Sequence, residues 1–214
     1  LHNILPEGFP TIIVSAGPSL NKNIKELKNA VGRANIIATD TAMKPLLNEG
    51  ITPNFFIIVD GLKPTSLFDH PDISKVPMVT MCAVSDGSMK VHKGKKFFYE
   101  SGSEFERKVV SEVCKYDKEA KPFTNLPSGG SVATSAYSLG VFMGSRTVIL
   151  MGQDLAMTNN KTHADGTFKD KMDEIDIQSK EYFEVEDIYG EKVLTRGDFK
   201  NYLNWFEDRI KDWT

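Results

Sequence analysis

Five short, nearly unbroken apolar runs constrain this chain more than anything else in it. They are Thr11–Val14, Asn35–Asp40, Phe55–Asp60, Val76–Cys82 and Thr147–Met151, with Lys96–Tyr99 as a further candidate. Their apolar residues do not alternate with polar ones. Strands that read this way are buried on both faces, which predicts a mainly parallel sheet with helices on both sides. Helical spacing between the runs agrees with this. Ile24, Leu27 and Val31 follow the first run, and Met43, Leu46 and Leu47 form a short helix that should stop near Gly50. Phe105, Val109, Val110 and Val113 make a helical stripe, and the Ala/Ser/Thr-rich segment 131–143 reads as a helix packed close against the sheet. The expected class is therefore α/β, Rossmann-like, with a C-terminal helical and loop extension.

Ligands bind such sheets beyond the carboxyl ends of the strands. Polar residues collect at those ends here: Ser15-Ala16-Gly17-Pro18-Ser19, Asp40-Thr41, Asp60-Gly61 and Gly152-Gln153-Asp154. The first of these is a strand–turn–helix junction. Gly17 removes a side chain at the bend and Pro18 rigidifies it. Backbone N–H groups and the hydroxyls of Ser15 and Ser19 at a helix N-terminus suit a phosphate. Pro127-Ser128-Gly129-Gly130-Ser131 repeats that logic before the helix at 131–143. Both turns also fit ordinary connections, and strand-end acids often cap helices instead of binding ligands. Neither turn carries the Gly-Lys-Ser/Thr end of a P-loop or the spacing of a dinucleotide fingerprint.

His163, in the polar stretch Lys161-Thr162-His163-Ala164-Asp165-Gly166, follows this rim in sequence. Folded over it, the imidazole would be a general base near neutral pH; left in a loop, it is simply solvated. Asp40, Asp60, Asp154 and His163 would also suit magnesium, which accepts sparse carboxylates, although no tight ligand spacing singles them out.

After Asp154 the character changes. The stretch from Thr158 to Ser179 is polar and reads as a mobile surface loop or lid. Glu184 to Thr195 fits a hairpin around Tyr189-Gly190. Phe199, Tyr202, Leu203, Phe206 and Ile210, joined by Trp205 and Trp213, make an amphipathic helix whose aromatic residues read as core or interface. We therefore divide the chain into a nucleotide-binding core, 1–157, and a lid loop, hairpin and helix, 158–214, of the same domain.

A net charge of −3 and a pI near 5.9 supply no basic footprint for nucleic acid. No apolar run reaches the roughly 18 residues of a membrane helix, so membrane insertion is not expected. Cys82 and Cys114 read as reduced core thiols. A cytoplasmic location is the matching expectation. The chain begins at Leu1 rather than Met and reads as a piece of a longer protein.

Ser15-Ala16-Gly17-Pro18-Ser19-Leu20, Gly129-Gly130-Ser131-Val132 and Gly152-Gln153-Asp154-Leu155-Ala156 with Lys161-Thr162-His163 resemble the central domain of the motility accessory factor (Maf) family, bacterial flagellin glycosyltransferases. The resemblance extends through Tyr189-Gly190 to Thr195 and the Tyr202–Phe206 helix. The same motifs are similar to bacterial sialyltransferases that use CMP-sialic acid and to archaeal 6-hydroxymethyl-pterin diphosphokinases. The Maf resemblance implies transfer of a nonulosonic sugar from a CMP donor to Ser or Thr of flagellin, with no cofactor. It implies that Gly17, Pro18 and Ser19 hold the CMP phosphate or ribose and that Gly129, Gly130 and Ser131 line the nucleotide side. Gln153 and Asp154 would stand at the sugar or nucleotide, and His163 would take the acceptor's proton. Ala16 departs from the sialyltransferase turn, which commonly has Asn there. The diphosphokinase resemblance implies ATP and magnesium instead, held by Asp40, Asp60 and Asp154. A binding module without catalysis is the reading from outside the enzymes.

Overall fold

The computed structural model describes residues 1–116, 123–158, 161–168 and 181–213. Seven strands form one sheet: β1 (Thr11–Val14), β2 (Asn35–Thr39), β3 (Phe55–Ile58), β4 (Met78–Thr80), β5 (Lys96–Glu100), β6 (Thr124–Asn125) and β7 (Val148–Met151). Their order is β6-β5-β4-β3-β2-β1-β7, and every pairing is parallel. The fold is the expected Rossmann-like α/β sandwich.

Residues alternate across the pleat, so the inner strands β1 to β3 each feed two cores. Ile12, Val14, Ile36, Ala38, Phe56 and Ile58 face one layer. That layer holds the short helices α1 (Leu20–Asn23) and α2 (Met43–Asn48), with Leu20, Leu46 and Leu47 packed inward. Ile13, Ile37 and Ile57 face the other layer, against Ala136 and Leu139 of α5 (Val132–Phe142). Ile13, Ile37 and Ile57 are fully buried, which is worth about 1.5–3 kcal/mol for each side chain. The remaining helices of the sheet are α3 (Asp86–Val91) and α4 (Glu104–Tyr116).

The chain lays strands outward from β1 to β6 and then returns to the other side of β1 for β7. Two neighbouring connections thus leave the β1/β7 pair on opposite sides, which opens a crevice at their carboxyl ends. Beyond it lies an antiparallel hairpin of β8 (Tyr182–Glu186) and β9 (Lys192–Arg196), then α6 (Gly197–Trp213). Phe206 of α6 is buried against Ala133 and Tyr137 of α5, and the Tyr137 ring meets Trp205 and Phe206 edge-on at 6.0 and 5.8 Å. The hairpin is tied to the loop after β7 by Met157 N–H to Leu194 O (2.7 Å) and by Thr195 Oγ1 to Leu155 O (2.7 Å).

Several expectations are corrected. The helix after the first turn is four α-residues followed by a 3₁₀ segment, Ile24–Ala30. The tighter 3₁₀ pitch buries Ile24 and Leu27 but turns Val31 out to 50% exposure. β4 ends at Thr80, so Cys82 is exposed rather than a core thiol. The stripe on α4 faces the wrong way: Val110 is buried, but Phe105 and Val113 are mostly exposed. Glu106 is buried in their place because its carboxylate accepts the N–H (2.8 Å) and hydroxyl (2.5 Å) of Ser101. Most of the expected lid, residues 159–160 and 169–179, lies outside the described residues. Among the described residues no helix is long and apolar enough to cross a membrane.

Candidate functional site

A cavity of about 770 Å³ opens at the crevice. Ser15 and Gly17 after β1, Asp40 and Thr41 after β2, and Asp60 after β3 form its floor and one flank. Gly152, Gln153 and Asp154 after β7 form the other flank. Gly130 and Ser131 bring in the start of α5, and His163 lines the cavity as well. One cavity therefore gathers residues that lie far apart in sequence.

The first turn is not an open anion cradle. Ser19 gives its N–H to Asp154 Oδ2 (2.7 Å) and its hydroxyl to Asp154 Oδ1. Gly17 N–H goes to Gly152 O (2.7 Å), and Ser15 Oγ donates to Gln153 Oε1 (2.6 Å). The loop after β7 thus fills the donors that the sequence reading left for a phosphate. α1, at four residues, is also too short to build a useful dipole. Pro18 and Ser19, expected as direct ligand contacts, do not line the cavity. Gly17 is small because the neighbouring loop presses on it. A Cβ there would lie 2.6 Å from Gly152 O and 2.7 Å from Asp154 Cγ. The cavity wall at this point also carries Leu155 at φ +51°, a left-handed conformation that costs a side-chain-bearing residue free energy.

The second turn behaves differently. Ser131 caps α5, its Oγ accepting Thr134 N–H at 3.3 Å. Gly130, at φ +92°, and the first residues of the eleven-residue helix face the cavity. A helix of this length presents its unpaired N–H groups and positive end there. Gly129 does not line the cavity. Its lack of a side chain makes room for Trp205, whose Cγ and Cδ1 occupy the place a Cβ would take. The second turn is thus divided between a packing glycine and an open helix end.

His163 reaches the cavity because its segment is anchored. Ala164, 1% exposed, donates its N–H to Ala16 O (2.7 Å), and Asp165 donates its N–H to Asn21 Oδ1 (3.0 Å). The described part of the expected lid is therefore pinned onto the first turn. His163 Nδ1 lies 2.7 Å from Thr162 Oγ1, which restrains the ring's rotation.

The far wall was not read from the sequence as a site. Tyr182, Arg196, Asp198, Phe199 and Tyr202 line it, and Lys63 joins from the β3 side. Arg196 donates from Nε and Nη2 to the two carboxylate oxygens of Asp198 (2.8 and 2.7 Å) and stacks 4.4 Å from the Phe199 ring. The hydrogen bonds to Asp198 push Arg196 further above its usual pKa, and although burial opposes it, the pairing holds Asp198 below the usual carboxylate value. Phe199 and Tyr202 carry the same helical spacing as buried Phe206. The signal that would have separated them is position: the first turn of α6 leaves the hairpin at the cavity, and the later turns reach α5.

Among the described residues, no three His, Cys, Asp or Glu side chains converge as a metal site. Magnesium needs fewer, often one or two carboxylates with phosphate oxygens. Asp60, exposed on the rim with Oδ1 accepting Leu62 N–H (2.8 Å), offers one such carboxylate.

A family model described as 6-hydroxymethylpterin diphosphokinase MptE-like matches residues 1–160. No curated protein matches the chain. A solved structure of a Maf glycosyltransferase from Magnetospirillum magneticum AMB-1 superposes with a TM-score of 0.68 at 18% identity. The match covers 93% of this chain and 29% of that one, so this chain spans under a third of that protein. At that identity the likeness is one of fold.

Proposed function

The chain belongs to the MptE-like family, and from that premise we propose that its cavity takes a CMP-activated nonulosonic sugar and transfers the sugar to a Ser or Thr hydroxyl of flagellin. The observation that carries this reading is the meeting, in one cavity, of an imidazole, a fixed carboxylate and a helix N-terminus. Glycosyl transfer needs a place for each. The bond from the sugar's anomeric carbon to the phosphate oxygen breaks, and CMP leaves with the electron pair. The positive end of α5 stabilises that developing charge. The sugar passes through an oxocarbenium-like state, which favours nearby negative charge. Asp154, held still by Ser19, supplies it. The acceptor oxygen forms the new bond and its proton goes to His163. The contact between Nδ1 and Thr162 Oγ1 fixes the orientation of the imidazole that takes it.

The description of the matching family favours one alternative, diphosphoryl transfer from ATP to a pterin alcohol. Asp60 is the carboxylate placed to hold magnesium, which would neutralise phosphate charge.

The test is isothermal titration with CMP and with ATP, each with magnesium and with EDTA, followed by turnover assays with CMP-nonulosonate and flagellin. The proposal expects CMP binding that ignores EDTA. It expects His163→Ala to cut transfer by roughly 100-fold or more while CMP affinity stays within about twofold. Magnesium-dependent ATP binding without CMP binding puts the diphosphokinase first. Binding of neither sinks both enzymes.

A further inference from the structure

Among the described residues, Lys63 and Arg196 are the two Lys or Arg side chains that line the cavity. Arg196 is committed through Nε and Nη2 to Asp198. Lys63 is held differently. Its Nζ lies 3.1 Å from Asp40 Oδ2, its side chain is 11% exposed, and it sits 5.4 Å from the centre of the Phe168 ring. Asp40 itself is 1% exposed. Its Oδ1 accepts Thr41 N–H at 2.8 Å, whereas among the described residues Oδ2 accepts no hydrogen bond and lies beside the lysine charge. An ammonium has three donors, and a single carboxylate oxygen leaves capacity for another acceptor.

A buried ion pair of this kind costs desolvation and adds little net stability. It needs another reason to stand in a cavity wall. The pair also spans the ends of β2 and β3, so the lysine's position is set by the sheet rather than by a loop alone. The loop is itself fixed: Asp60 Oδ1 accepts Leu62 N–H, and Gly61 packs with no room for a Cβ against Ala83 O.

We infer that Lys63 is a side-chain phosphate contact of the cavity beside the end of α5, with Asp40 as its positioning residue. The inference rests on the reading of the cavity as a nucleotide-donor site. It goes further by assigning the phosphate to a side chain that neither glycine-rich turn contains. Lys63 meets the donor's phosphate and, as CMP leaves, the charge that grows on it. Asp40 holds the ammonium at the cavity wall, and Phe168 brings the His163 segment against the same cation.

Isothermal titration with CMP, cytidine, ATP and inorganic pyrophosphate tests this, on wild type, Lys63→Met, Lys63→Arg, Asp40→Asn and the paired Asp40→Asn/Lys63→Met. Lys63→Met should weaken CMP binding about tenfold or more, the size of one lost charge-assisted hydrogen bond, and leave cytidine unchanged. Lys63→Arg should recover part of the loss. Asp40→Asn should weaken CMP by a smaller factor and spare cytidine, which a merely structural role would not do. If Lys63→Met unfolds because Asp40 is left unpaired, the paired variant decides, since it removes both charges. CMP binding that keeps its advantage over cytidine in that variant overturns the inference. If wild type ignores CMP but binds ATP or pyrophosphate through Lys63, the CMP-donor reading falls and the lysine assignment stands. If wild type binds none of the three anions, both fall.

Discussion

The turn after β1 and the turn before α5 are both runs of small residues with serines that lead into a helix. In the first, Asp154 takes the N–H and hydroxyl of Ser19, and Gly152 O takes the N–H of Gly17. In the second, Ser131 caps its own helix and the helix end faces the cavity. The first turn serves as a socket for the β7 loop, and the second remains a place for an anion. What separates them is an acid 135 residues away from Ser19, together with the lengths of the helices they open. A helix-terminus motif therefore specifies donors, and the tertiary partner decides whether those donors are spent.

The largest expected effect breaks the socket. Gly17→Val should lower folding stability by about 3 kcal/mol or more, because its Cβ meets backbone and carboxylate atoms that have no room to give. Gly130→Ala should cost roughly 1–2 kcal/mol, the price of an alanine at positive φ, since its Cβ finds only Tyr202 Cε1 at 3.5 Å. Denaturant midpoints for the two variants measure the contrast. Equal losses would show that the turns do not differ in packing.

Next in size is Asp154→Asn. The amide keeps the shape, and the lost charge-assisted contacts to Ser19 should cost about 1–2 kcal/mol. Sugar transfer should fall roughly 100-fold if the fixed charge serves the oxocarbenium-like state. Comparing turnover with melting separates the two roles. A variant that loses stability and keeps its rate would leave Asp154 as a cap alone.

Much of this was legible in the sequence, and the failures have physical causes. Each of the five apolar runs contains a strand, and β1 to β4 are buried almost throughout as such a run predicts, whereas β7, at the end of the strand order, leaves Ile149 and Leu150 exposed at 45% and 36%. The cavity floor was legible because strand ends converge in a parallel sheet: Ser15, Asp40, Thr41, Asp60, Gly152, Gln153, Asp154 and His163 all line it. Gly129 lies outside the cavity lining, because in sequence a glycine that makes room for Trp205 looks like one that makes room for a ligand. Lys63 and Arg196 were missed because charged residues in loops and hairpins are usually solvated, and only the packing of Asp40 and Asp198 beside them shows otherwise. On α4, periodicity found the helix but not its inward face, because Ser101 makes Glu106 a satisfied buried acid. His92 had no evident setting, yet it is fully buried beside Phe56 and Phe68, and burial pushes its pKa down.

The smallest expected effect sharpens the comparison most, because it removes one hydroxyl from each turn. Ser19→Ala takes a donor from Asp154 and should cost about 1 kcal/mol. Ser19 does not line the cavity, so CMP affinity should stay within about twofold. Ser131→Ala removes the N-cap of α5 and should cost a similar ~1 kcal/mol. Here CMP affinity should fall by roughly three- to tenfold, since the hydroxyl and the helix end it orders both face the cavity. Matched stability losses make the affinities comparable, because neither variant is more unfolded than the other. If Ser19→Ala proves the more damaging to CMP binding, the loop after β7 must give way when ligand arrives, and the spent donors of the first turn are returned to it.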